Sequence, residues 1–244
     1  MNNNKTQKKY KVYALLAAHS FPKRRMESSS KRVKYFFSKT RKVDMNIKEL
    51  RDYKILEDNC PREYCTYINE SDKEVVLSLK GTDLVFPENG DIISCYYLVK
   101  GDEKKRNFYK QIYKKLEQII LYYSKNYKIV LTGYSLGGRY CIDLLSSKLG
   151  NALHEVHVFN PGTSIYHLYE SNECLLDKIQ ENKKNMCKNR EKLHIYLVNK
   201  DPLSVLSIGE KSKTKKVFNR KYKVSKLKGT NKKIKKNHSI MNFI

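Results

Sequence analysis

Ten residues constrain this chain more than any other stretch: Ile129-Val130-Leu131-Thr132-Gly133-Tyr134-Ser135-Leu136-Gly137-Gly138. An apolar run suited to a buried strand ends there in Gly-x-Ser-x-Gly, and Cys141, Leu144, Leu145 and Leu149 follow at helical spacing until Gly150-Asn151 stops the pattern. A strand that turns into a helix within one residue forces that residue into an unfavourable backbone conformation. The residues two before and two after it must then be nearly free of side chain, and Gly133 and Gly137 meet that demand around Ser135. The stretch reads as a nucleophile elbow. Ser135 projects from the strand end, the helix N-terminus aims its unpaired N–H groups at the reacting oxygen, and the Leu136 N–H becomes one oxyanion donor. The plain alternative is a strand–turn–helix packed through small residues.

The rest of the chain supplies more strands and helices in alternation. Cys65–Asn69 and Glu74–Leu79 fit strands separated by a Ser71-Asp72 turn, and a further apolar run, Ile92–Val99, follows the Pro87-Glu88-Asn89-Gly90 turn signal. Residues 103–125 place Phe108, Ile112, Leu116, Ile119, Ile120 and Tyr123 on one helical face. Val156–Phe159 and Leu193–Val198 read as strands closed by Asn160-Pro161-Gly162 and by Asn199-Lys200-Asp201-Pro202, with mixed, largely helical sequence between them. Tyr10–Ser20 fits a short helix or strand on the rim, and Val217-Phe218 with Tyr222–Val224 fits a hairpin. Such alternation implies an α/β protein with a mostly parallel sheet covered on both faces.

Charge divides the 244 residues unevenly. Of a formal +25, residues 1–54 hold +12 and residues 211–236 hold +13, the latter with no acidic residue at all, so the remainder is neutral. This separates a basic N-terminal segment, 1–54, of helix and loop from a domain at 55–244 that carries a basic insertion at 211–236. Cationic segments favour anionic surfaces, membrane or nucleic acid, or serve solubility alone. The six cysteines show no metal-ligand spacing, so free thiols are the default, although Cys60 and Cys65 are close enough to bridge. Val12–Ala18 is short for the core of a signal peptide, and no run reaches the roughly 18 apolar residues of a spanning helix. A place inside the cell or at a membrane surface is expected.

A serine alone is a weak nucleophile at neutral pH and needs a base, an orienting acid and a second oxyanion donor. In hydrolases of this architecture the acid and then the base follow the serine, each on a loop after a strand. Asp201 fits the acid, directly after the strand 193–198 and ahead of the strand-breaking Pro202. His238 fits the base, being the only histidine downstream of Asp201. His154, His157, His167 and His194 fall in or beside strands and helices and read as structural. Asp143 or Asp177, with His157 or His167, are the next candidates.

Taken together these residues resemble the class 3, fungal-type lipases of the α/β-hydrolase superfamily. Val75–Thr82 is similar to that family's strand ending in Arg-Gly-Thr or Arg-Gly-Ser, and Gly133–Gly138 to its Gly-His-Ser-Leu-Gly-Gly elbow. Phe159–Gly162 is similar to its next strand and turn, Asn199–Leu203 to its Asn-x-Asp-Pro acid loop, and His238 to its C-terminal histidine. The likeness spans residues 70–244 and departs from the family at Tyr134 and Lys80, neither a triad position. It implies an α/β-hydrolase fold, with Thr82 as the oxyanion donor alongside Leu136, and it puts residues 83–101 in the place of a lid, a stretch that fits a plain β-hairpin equally well. The expectation is a serine hydrolase acting on carboxylic esters, most of all lipids, with no metal or organic cofactor. The rival reading is a catalytically idle hydrolase fold that binds anionic membranes or nucleic acid through its basic segments. A nucleic-acid partner is the weaker option, because no recognition motif is present and aromatic residues hardly interleave the basic runs.

Overall fold

The computed structural model describes residues 3–20, 45–56, 64–81, 107–161, 184–185, 188–198 and 223–227. Strand β1 (Lys54–Ile55), β2 (Tyr64–Asn69), β3 (Glu74–Leu79), β4 (Lys128–Tyr134), β5 (Glu155–Phe159), β6 (Leu193–Val198) and β7 (Lys223–Leu227) form one mixed sheet in their chain order. The first three pair antiparallel, and β3 through β7 run parallel. Helix α1 (Asn3–His19) precedes the sheet, α2 (Asn107–Tyr123) joins β3 to β4, and α3 (Leu136–Leu145) follows β4. A 3-10 turn, Lys148–Ala152, leads towards β5.

Parallel strands covered on both faces have no need of polar alternation, and all of Glu74–Leu79 is buried accordingly. Val75, Leu77, Ile129, Leu131, Val156, Val158, Leu193 and Ile195 pack in one layer with Leu116 and Ile120 of α2 and Cys141, Leu144 and Leu145 of α3. Because the strand order never reverses, crossovers of one hand place α2 and α3 on the same face. The opposite face packs Val76, Val130, Phe159 and Tyr196 against Tyr13–Ala17 of α1 and Leu50. Residues on both sides of position 54 thus share one core.

Helix α1 corrects the expectation of a rim element. Its Tyr13, Ala14, Leu15, Leu16 and Ala17 are all buried, as befits a helical stretch with no polar position. The sheet also bonds to the helix through hydroxyl groups. Thr132 Oγ1 donates to the Tyr13 carbonyl (3.2 Å), while Ser78 Oγ (3.3 Å) and Tyr67 Oη (3.4 Å) donate to that of Leu16. Tyr13 and Tyr53 in turn donate to the two carboxylate oxygens of Glu74, at 3.0 and 2.7 Å.

Two more expectations change. Residues 223–227 of the basic insertion form strand β7 beside β6, so this part of the basic sequence belongs to the sheet; Val217-Phe218, the other arm of the expected hairpin, lies outside the described residues. Cys65 is disulfide-bonded, with its partner outside the described residues, whereas Cys141 is a free, buried thiol. Pairing of sulfurs depends on where strands carry them in space, which scattered spacing does not reveal. The segments 21–44, 83–101 and 163–183, with the Ile92–Val99 run, also lie outside the described residues.

Candidate active site

At the end of β4 the backbone of Ser135 has φ 55° and ψ −121°. These values fall outside the regions that a residue with a Cβ ordinarily occupies, and such a conformation costs on the order of 1–3 kcal/mol. Its surroundings hold it there. The Ser135 N–H donates to the Phe159 carbonyl (3.1 Å), which extends the β4–β5 ladder up to the turn, and the Ser135 carbonyl already accepts from the Arg139 N–H (3.1 Å) as the first helical bond of α3. One residue therefore ends the strand and begins the helix. Ser135 occupies the N-cap position, yet its hydroxyl makes no capping bond to α3.

The flanking glycines are required by space. A Cβ on Gly133 would stand 2.5 Å from the Gly137 carbonyl carbon, and one on Gly137 would stand 2.1 Å from the Leu79 carbonyl oxygen and 2.6 Å from that of Lys80. The second pair of distances also shows what lies beside the elbow: the first turn of α3 rests on the C-terminal end of β3. A Cβ on Gly138 would come within 3.2 Å of Pro161, so the same turn packs against the end of β5. There Asn160, fully buried and with φ 41°, bends the chain, its N–H donating to the Tyr196 carbonyl (2.9 Å). The distorted Asn160 was not anticipated; the Asn-Pro-Gly punctuation was the signal that could have found it.

Ser135 and Leu136 are thus placed by described structure, with Gly133 and Gly137 around them, and Ser135 is 8% exposed. Thr82, Asp201 and His238 lie outside the described residues. What is described is the strand ends that lead to them. Lys80 and Gly81 follow the end of β3 beside the elbow, and β6 ends at Val198, two strands from β4. Parallel pairing sets the C-terminal ends of β3 through β7 on one edge of the sheet, the edge that carries Ser135.

Of the fallback residues, Asp143 and His157 are engaged elsewhere, and Asp177 and His167 lie outside the described residues. Asp143 lies on α3 with its Oδ1 3.3 Å from Arg139 Nε, an ion pair with both side chains largely buried. His157 pairs in register with Thr132, three residues before Ser135, which is about 10 Å back along the strand. Its ring bonds to Tyr196 Oη and Glu155 Oε2. Burial, with Asp143 nearby, pushes the Cys141 thiol above its ordinary range, so that sulfur is no competing nucleophile.

No protein-family model, curated protein or solved structure matches the chain.

Proposed function

We propose that the protein is a serine hydrolase of carboxylic esters, with Ser135 as nucleophile, on an α/β-hydrolase type of sheet resembling that of the class 3 lipases. The observation that carries this reading is the backbone of Ser135. A non-glycine residue held at φ 55° between two glycines that tolerate no side chain is a costly arrangement, and a plain strand–helix junction has no use for it. Exposing a hydroxyl at the N-terminus of a helix is the use that fits the cost.

In this reading Ser135 Oγ attacks the ester carbonyl while His238 takes its proton, and Asp201 orients the imidazole. The Leu136 N–H and Thr82 hold the oxyanion; the alcohol leaves with the proton from His238, and water then attacks the acyl-enzyme to release the acid. In sequence, Thr82 directly follows Gly81, Asp201 comes three residues after the end of β6, and His238 comes eleven residues after the end of β7. No step calls on a metal or cofactor. Lipid esters are the favoured substrates, and the Lys/Arg-rich segments within 1–54 and 211–236 would draw the enzyme to anionic interfaces, each cation near such a surface contributing roughly 1 kcal/mol.

The test is covalent labelling with a fluorophosphonate. The reagent should add once to the full-length protein, with the adduct on the peptide that contains Ser135, and should leave Ser135→Ala unmodified. Labelling at another residue, or none in a protein that is folded by circular dichroism, would remove Ser135 as the nucleophile.

A further inference from the structure

The α1 face of the sheet carries a second group of reactive side chains. Glu155 and His157 are two apart on β5 and so project to the same face, and His194 on β6 is the residue paired in register with His157. The ligand atoms of the three lie within 4.8 Å of one another. We infer that Glu155, His157 and His194 form a binding site for a borderline divalent cation, zinc(II) or a neighbouring first-row metal, which clamps β5 to β6.

The chemistry of the set selects that class. Two neutral imidazoles and one carboxylate offer two nitrogens and one oxygen, a donor set that suits zinc and its neighbours better than calcium or magnesium, which prefer all-oxygen sites. With one negative charge on the ligands, the cation would neutralise a carboxylate that the sheet holds partly out of water.

The ligand at the centre is already oriented. His157 is 2% exposed, its Nδ1 lies 3.0 Å from Tyr196 Oη, and its Nε2 lies 2.9 Å from Glu155 Oε2. Metal-binding histidines are commonly held in this way, with the distal nitrogen bonded to a fixed polar group and the other aimed into the site. Without metal, a proton on Nε2 joins the ring to Glu155. On binding, the neutral ring keeps its one proton but carries it on Nδ1, where Tyr196 changes from donor to acceptor, and Nε2 gives its lone pair to the metal. Tyr13, whose ring centroid is 4.2 Å from that of His157, closes the site from α1.

His194 must move. Its ring now stacks on that of His157 at 4.5 Å and 4°, which sets the two lone pairs side by side instead of convergent. Bonds of about 2.0–2.2 Å bring tetrahedral ligands to roughly 3.4 Å from each other, so the set contracts by about 1.4 Å at its widest. His194 is the more exposed of the two rings and can make that turn. The site lies on the sheet about 10 Å short of Ser135, and ester hydrolysis as proposed makes no use of it.

Cobalt(II) is the probe, added to chelator-treated full-length protein and followed by its visible d–d absorption, with the melting midpoint measured in parallel with zinc(II). The wild-type protein should take up a single equivalent and melt higher with metal. His194→Ala and Glu155→Gln, both at partly exposed positions, should each weaken uptake at least about tenfold and abolish the shift in midpoint, while melting like the wild type in chelator. Should His194→Ala fail to fold, His194→Gln replaces it. No uptake by wild-type protein, uptake unchanged in both variants, or thiolate-to-cobalt charge-transfer bands that place the ion on a cysteine would each overturn the site.

Discussion

The strain at Ser135 falls on its Cβ. Alanine and serine share a Cβ and so suffer alike at φ 55°, whereas glycine does not. Ser135→Ala and Ser135→Gly should both lose ester hydrolysis by on the order of 10³-fold or more, the remainder coming from the oxyanion site. The glycine variant alone should gain stability over the alanine variant, by about 1–3 kcal/mol in denaturant unfolding. Equal stabilities would mean that the elbow stores no strain. This part of the site was legible in the sequence because its rule is steric and local: two glycines around one serine, within five residues. The two histidines and the glutamate of the proposed metal site were not. Glu155 and His157 share a face by simple alternation, but His194 joins them through the register of β5 on β6, and that register is set by the whole sheet.

Among the elements, α3 shows how a helix can carry a buried charge without giving it to catalysis. Arg139 and Asp143 sit one turn apart, 14% and 6% exposed, and Asp143 Oδ2 is buried with no hydrogen-bond partner. Arg139→Met should therefore cost about 3–5 kcal/mol, because it leaves a carboxylate alone in the interior, and Arg139→Met combined with Asp143→Leu should recover most of that loss. The folded double variant should retain esterase activity within tenfold of wild type; a loss of orders of magnitude would return Asp143 to the list of candidate acids. Helix α2 was readable from its period, and β2 to β6 from short apolar runs bounded by turn residues, since strands buried on both faces show no alternation. Helix α1 was not. Its five consecutive buried residues carry no amphipathic signal, and only the hydroxyls of Tyr67, Ser78 and Thr132, far along the chain, reveal which surface receives them.

For the molecule as a whole, the packing of tyrosines sets a limit at high pH. Burial raises Tyr13, Tyr53, Tyr67 and Tyr196 well above the ordinary phenol range, and the Glu74 carboxylate adds to the effect at Tyr13 and Tyr53. A phenol whose folded pKa exceeds its unfolded value contributes stability that is complete below the unfolded value, about 10, and declines as the pH rises beyond it. The denaturation midpoint should therefore fall between about pH 9 and pH 11, and these four tyrosines should resist ionisation until the protein unfolds. A constant midpoint over that interval, with these four phenols ionising in the ordinary range while the protein stays folded, would contradict it. The bond from Thr132 to the Tyr13 carbonyl also delays the full packing of α1 during synthesis. It spans 119 residues, so as the chain leaves the ribosome α1 emerges long before its receiving surface is complete. At about 5–20 residues per second, that interval is roughly 6–24 s. Until it ends, α1 can meet only β2 and β3 of its receiving surface, and the rest of its apolar stretch stays uncovered in the nascent chain.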